Sequence, residues 1–205
     1  MRVGGGTTWL TYVALLATVG CAQESTESAE PRPAAHIHPL FAEDYACQEH
    51  PDGQLPYKGD ALGTDCFITR LVETGPNEAF SRAFENDGSR NEDWFGWRAE
   101  VLAPFDGVVR RVSINPVTNS PGRLGSPPAS MMVFQRDDGT SVLYAHIREP
   151  TVEEGDRVTA GQPVARVGNN GFGRNPHIHI GAWLDDEPLQ LRHDLVAMAK
   201  LRGTP

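Results

Sequence analysis

The residues of this chain best suited to chemistry stand two apart, in Asn175-Pro176-His177-Ile178-His179-Ile180. In an extended strand successive side chains alternate between faces, so His177 and His179 share one face while Ile178 and Ile180 take the other. Two imidazoles then look into one space, with an apolar layer behind them. Neutral imidazole binds zinc through one ring nitrogen at about 2.0–2.1 Å, and a catalytic zinc commonly has three protein ligands and an open fourth position. A His-x-His pair is part of such a site. Spacing alone does not single it out, because His36-Ile37-His38 repeats the pattern in a stretch without strand signals.

What distinguishes the second pair is the set of elements around it. Glu100–Ala103, Gly107–Ile114, Met131–Gln135 and Thr140–Ile147 are rich in Val, Ile, Phe and Tyr, and Asp138-Gly139 between the last two is a hairpin signal. Arg157–Thr159, Pro163–Val167 and His177–Trp183 read as further strands. Asn115–Ser130 carries four prolines and two glycines and reads as an exposed loop. A short helix is expected over Glu78–Glu85, and a closing strand with a short helix after Asp185. Alternation sets His146 on the face of Val142 and Tyr144, which predicts a tyrosine bordering the site. The fold class is mainly β, an antiparallel sheet with a groove.

The segment from Val152 to Gly171 holds Val-x-x-Gly-Asp-x-Val-x-x-Gly-Gln-x-x-x-x-Val-Gly, and the His-x-His strand follows it. With Tyr144-Ala145-His146-Ile147 and Ala103-Pro104-Phe105-Asp106-Gly107-Val108-Val109 upstream, this pattern resembles the core of the M23 (LytM or lysostaphin-like) zinc peptidases. The resemblance spans residues 91–190, and it implies a half-barrel or sandwich built from lipoyl-like hairpins. It also implies zinc as cofactor, held by the histidine and aspartate of a His-x-x-x-Asp motif and by the second histidine of His-x-His. Carried over, His179 is a metal ligand, and His177 and His146 are catalytic. The aligned aspartate is Asp93, but Ser89 stands where the motif has histidine. Asn91, Asp87, Glu92 and His50 are the candidates to replace that histidine.

The implied activity is hydrolysis of peptide cross-links in bacterial peptidoglycan, with wall peptides as partners. The alternative is a degenerate domain that binds the wall or activates a partner hydrolase without cutting. A lipoyl or adaptor reading shares the Ala-Pro-x-Asp-Gly-Val-Val pattern. Lipoylation needs a lysine at the hairpin tip, however, and Lys58 and Lys200 both lie outside the segment.

A chain of 205 residues accommodates one domain with a substantial core plus appendages. The net charge of −9, from 27 acidic and 18 basic residues, is the wrong sign for a nucleic-acid partner. Residues 1–20 read as an export signal, with Arg2 ahead of the apolar run Trp9–Val19. Thr18-Val19-Gly20-Cys21 resembles a bacterial lipoprotein box, which would make Cys21 a lipid anchor facing the periplasm; cleavage after Ala22 is the alternative. Residues 21–40, rich in Ser, Glu, Pro and Ala, are expected to form a disordered tether with His36 and His38 solvated. With Cys21 lipidated, Cys47 and Cys66 are left to pair in an oxidising compartment. Residues 41–90 then form a loop-rich extension, residues 91–190 the peptidase-like core and residues 191–205 a tail.

Overall fold

The computed structural model describes Met1, residues 33–55 and residues 57–203. The chain divides into units of residues 1–31 and 32–205, and the fold described here is that of the second. The expected export signal and Cys21 lie outside the described residues. Among those described, no helix is long and apolar enough to cross a membrane.

The N-terminal half contributes β1 (Ala34–Ile37), β2 (Tyr45–Glu49), β3 (Thr64–Ile68), β4 (Arg70–Gly75) and β5 (Glu78–Arg82), followed by a 3-10 turn at Asn91–Asp93. There follow β6 (Glu100–Leu102), β7 (Gly107–Ser113), β8 (Met131–Gln135), β9 (Ser141–Ala145) and β10 (Ile147–Arg148). The chain then forms β11 (Arg157–Val158), β12 (Pro163–Val167), β13 (Ile178–Leu184), β14 (Glu187–Pro188), β15 (Gln190–His193) and helix α1 (Leu195–Leu201). The fold is mainly β, with antiparallel sheets and one short helix near the C-terminus.

The largest sheet runs β11-β7-β8-β9-β13-β3-β2, and a smaller one runs β10-β12-β6. Apolar side chains from both sheets make one core: Val109, Phe134, Tyr144, Ile178 and Ile180 from the large sheet, and Val101, Ile147 and Val164 from the small one. The β8–β9 hairpin turns at Gly139, whose φ of 90° suits the Asp-Gly signal.

Three expectations are corrected. Residues 34–37 are not tether but strand, paired parallel to β15 in the register Ala34↔Gln190, and Leu40 and Phe41 are buried just beyond it. Ala35 and Ile37 turn inward, which the polar composition upstream concealed. His36 is exposed and His38 part-buried, its ring lying against Gly161. The helix expected at Glu78–Glu85 is instead β5, paired with β4 from Arg70↔Arg82 to Gly75↔Glu78. Finally, β2 and β3 are not a loose extension: β3 joins the large sheet beside β13, with β2 at its edge.

Candidate metal centre and catalytic histidines

Strand β13 carries the site. Ile178, Ile180 and Ala182 are fully buried on its core face, which puts His177, His179, Gly181 and Trp183 on the other. His177 and His179 are nonetheless only 5% and 6% exposed, because other elements close over that face.

The closest of these is β3. It pairs antiparallel with β13 in the register His179↔Asp65, and the two side chains meet, with His179 Nδ1 2.8 Å from Asp65 Oδ1. The second Asp65 oxygen lies 3.3 Å from Nε2 of His50. His50 follows the end of β2, and its backbone N–H donates to Gly63 O at 2.8 Å, which continues the β2–β3 ladder by one step. Its Nδ1 is buried without a hydrogen-bond partner among the described residues, so the ring's polar contact is through Nε2. One ligand atom from each of His50, Asp65 and His179 lies within 4.8 Å of the others. Two imidazoles and one carboxylate fit the donor set of a catalytic zinc, which uses three protein ligands of this kind.

A disulfide holds this half of the site together. Cys47 and Cys66 face each other across β2 and β3 and are bridged, S–S 2.04 Å, which places the staple beside Asp65 and three residues before His50. The pairing agrees with the cysteine count. A second carboxylate reaches His179 from the turns at residues 57–63, where Asp60 Oδ1 lies 2.8 Å from His179 Nε2.

The other two histidines pack beside this cluster. The His146 and His177 ring centroids are 4.4 Å apart, and His146 is 6.4 Å from His179. His146 occupies the single-residue corner where the chain leaves β9 for β10 in the other sheet, and its φ is 63°. A left-handed conformation costs a non-glycine residue about 1–3 kcal/mol and persists where its surroundings impose it. Here Gly168 N–H donates to His146 O at 2.9 Å, and His146 Nδ1 donates to Asn170 O at 2.7 Å. That corner also corrects the alternation argument. Tyr144 belongs to the core, stacked edge-on against Phe134, while the turned backbone sends His146 to the site.

His177 Nδ1 donates to Asn175 O at 2.8 Å, and its ring stacks on Phe67 at 5.2 Å. A carbonyl oxygen only accepts, so His146 and His177 both carry hydrogen on Nδ1 and, when neutral, present the Nε2 lone pair. Burial lowers the pKa of His146 to about 3, helped by the charge of His177, and burial also lowers that of His177 against the pull of Asp65. Both are neutral bases at ordinary pH. His179 moves the other way: burial opposes its charge, but the bonds to Asp60 and Asp65 outweigh it and raise its pKa to about 9.

Asp93 stands apart from this cluster. It does not belong to the group of side chains, His50, Asp65 and His179, whose donor atoms lie close enough to share a metal. Its carboxylate accepts from Asn86 Nδ2 at 3.1 Å and from Arg90 through the backbone N–H at 3.0 Å and the guanidinium at 3.1 Å. These bonds tie down the 3-10 turn and seat Trp94 against Phe84 and Phe67. Phe67 in turn stacks on His177, so Asp93 reaches the site through packing. Asn91 is likewise a latch: its Nδ2 donates to Asn119 O at 2.9 Å, and its Oδ1 accepts from Asn169 at 2.8 Å. Asp87 accepts from Ser89 N–H at 3.0 Å, and Glu92 is exposed. Of Asn91, Asp87, Glu92 and His50, only His50 joins Asp65 and His179. Asp65 itself escapes the sequence reading, because the resemblance aligns the aspartate to a position 28 residues downstream of it. The signal for it is its place beside Cys66.

Among solved structures, the chain is similar to the M23 metalloprotease pseudoalterin from the deep sea, at 16% identity over 76% of this chain and 75% of that one, TM-score 0.46. It is also similar to a chain of the SpoIIQ–SpoIIIAH pore-forming complex, at 18% identity over 75% and 87% of the two chains, TM-score 0.45. A zinc-containing peptidase from Vibrio cholerae matches at 17% identity over 66% of this chain and 49% of that one, TM-score 0.37. The family model of peptidase family M23 matches residues 95–191, a span that contains His146, His177 and His179. His50, Asp60 and Asp65 lie upstream of it. Residues 95–191 are thus similar to peptidase family M23, and the mainly β fold is consistent with a domain of that kind.

Proposed function

We propose that this chain is an exported zinc metallopeptidase acting on the peptide cross-links of bacterial peptidoglycan, with its metal held by His50, Asp65 and His179. The observation that carries this reading is the Asp65 carboxylate, set between His179 Nδ1 at 2.8 Å and His50 Nε2 at 3.3 Å, with His146 and His177 beside it. Zinc held there supplies Lewis acidity toward an amide carbonyl and makes water acidic enough to act as nucleophile near neutral pH.

The remaining chemistry belongs to His146 and His177. Each ring is fixed by a hydrogen bond from Nδ1 to a backbone carbonyl, which leaves the Nε2 lone pair for chemistry, with His177 Nε2 lying 3.6 Å from Asp65 Oδ1. A neutral Nε2 accepts a proton from attacking water, and the protonated ring then donates to a leaving amine or to the developing oxyanion. Their lowered pKa values keep both rings in the accepting form before reaction. The wall peptide as substrate follows from the family resemblance. Export is supported by the Cys47–Cys66 bridge, since disulfides persist in oxidising compartments, and a lipid on Cys21 would hold the protein at the envelope.

The test is the zinc content of the purified protein, measured beside digestion of isolated wall sacculi. One zinc per chain with release of peptide fragments is the expected result. Zinc without cleavage would favour a domain that binds the wall or activates a partner hydrolase, and no zinc would remove the metal centre.

A further inference from the structure

We infer that Asp60 is a positioning residue: it holds the Nε2–H of His179 and thereby presents Nδ1, on the opposite side of the ring, to the metal. This rests on the metal centre proposed above and adds a residue that centre does not include. The contact is short and enclosed, with Asp60 Oδ1 2.8 Å from His179 Nε2 and side-chain exposures of 12% and 7%. An ionised carboxylate only accepts, so Nε2 must carry the hydrogen. Nδ1 faces the Asp65 carboxylate at the same 2.8 Å and carries a hydrogen too in the metal-free protein; because Asp65, with His50, belongs to the donor set and Asp60 does not, a metal bound there displaces the Nδ1 hydrogen and leaves the one that Asp60 holds. A histidine that donates its second ring N–H to a carboxylate is held in tautomer and orientation and is a more basic ligand.

The chain is shaped to deliver Asp60 to that spot. Asp60 N–H donates to Tyr57 O at 2.9 Å and Gly63 N–H donates to Asp60 O at 3.0 Å, so two successive turns fold residues 57–63 onto β13. They are received by the positions that share a face with His179. At Gly181 a Cβ would fall on the carbonyl oxygen of Gly59, so only glycine admits that turn. The Trp183 ring lies directly beneath Gly59, where a Cβ would come within 2.5 Å of it. At Gly63 a Cβ would stand 2.7 Å from Cε1 of His179, so the second turn also closes against the imidazole itself. The spacing His179-x-Gly181-x-Trp183 is therefore a seat for the segment that carries Asp60.

The test compares wild type, Asp60→Asn and Asp60→Ala for zinc affinity by chelator competition at one pH. It adds a long-range nitrogen–proton spectrum of the His179 ring in the zinc-loaded proteins. Asp60→Asn preserves shape, so urea unfolding with the wild-type midpoint would establish that it folds. Loss of an outer carboxylate typically weakens a metal site by about 10- to 100-fold, so the Ala variant should fall in that range, with the Asn variant between it and wild type. In wild type the hydrogen is expected on Nε2 and the metal on Nδ1, and the Ala variant should lose that single well-defined state. Packing alone would not move this spectral feature. Unchanged affinity in both variants, or zinc on Nε2 in wild type, overturns the role of Asp60 while leaving the metal centre standing. A wild-type protein that takes up no zinc overturns the centre and this role together.

Discussion

His179 and Asp65 are joined twice, once as register partners across β13 and β3 and once through a 2.8 Å contact between Nδ1 and Oδ1. Backbone pairing thus fixes the separation of the two side chains before any metal arrives. Asp65→Ala should accordingly reduce zinc affinity by more than the roughly 100-fold expected of an outer-shell loss. Asp93→Ala should leave zinc affinity unchanged, because its carboxylate is engaged by Asn86 and Arg90. Its cost should appear instead as a lower urea midpoint, because the carboxylate ties Asn86 and Arg90 to the 3-10 turn. Zinc loss in Asp93→Ala with Asp65→Ala unaffected would reverse the assignment.

His146 and His177 should separate from the ligands in the same assay. Either alanine variant is expected to keep zinc at near wild-type affinity and to cut wall peptides about 10²- to 10⁴-fold more slowly, the range for loss of general acid–base catalysis. His50→Ala should instead lose zinc and activity together. If His146→Ala released the metal as fully as His179→Ala, the division between ligands and proton carriers would be wrong.

The histidine pair of this candidate site is legible in the sequence because its residues are local. His177 and His179 sit on one strand, and the repeated Gly-Asp and Gly-Gln pattern before them marks the strand's setting. The groups that meet His179 are not legible, because they arrive by a long-range pairing. Asp65 and His50 reach His179 only through the placement of β3 beside β13 and β2 beside β3, and periodicity within a segment carries no information about which strands become neighbours. Searching for the aspartate near Asp106-Gly107 therefore leads to Asp93, in a turn that supports the site from behind. Tyr144 fails for a local reason: alternation holds only while the backbone stays extended, and the positive φ of His146 ends it. Residues 34–37 escape because a short strand at a sheet edge needs only two inward apolar side chains, here Ala35 and Ile37.

The stability of the chelated protein should peak near pH 6.5. His146 has a folded pKa of about 3, below its ordinary 6.5, so the unfolded chain binds more protons between these values and stability falls as pH drops through that window. Asp65, held well below the usual carboxylate range despite its burial by the bond to His179 and by nearby histidine charge, adds a further loss below about pH 4. His179 works oppositely: its folded pKa of about 9 gives stability that is complete below 6.5 and lost as pH rises to 9. Urea midpoints at pH 4, 6.5 and 9 check both limbs, and His179→Gln should flatten the alkaline one alone. An alkaline limb unchanged in that variant would mean that another group is responsible.

The Cys47–Cys66 bridge should matter to the metal as well as to the fold. It closes a sequence separation of 19 residues, for which the unfolded-chain argument gives about 3 kcal/mol. Because it joins β2 to β3, replacing both cysteines with serine should also free His50 relative to Asp65 and lower zinc affinity at temperatures where the protein is still folded. Wild-type affinity in the folded double variant would show that the sheet hydrogen bonds suffice without the staple.

The glycine beneath His179 offers a test by packing alone. A Cβ at Gly63 would stand 2.7 Å from Cε1 and 3.1 Å from Nε2 of the imidazole, and it would also press on Asp60 O at 3.1 Å. Neither neighbour can yield freely, since the imidazole is held by Asp60 and Asp65 and the carbonyl closes a turn. Gly63→Ala should cost about 1–3 kcal/mol of stability, as overpacking of a filled site does. It should also weaken zinc binding although it removes no ligand, because the ring can escape the methyl group only by turning Nδ1 away from Asp65. Gly53→Ala in the same hairpin is the control: nothing lies within 4 Å of its Cβ position, although its φ of 73° carries a backbone cost. That variant should lose some stability and keep full zinc affinity. Equal zinc loss in both would place the effect in the hairpin's backbone, and full affinity in Gly63→Ala would show that the imidazole is not held where the structure puts it.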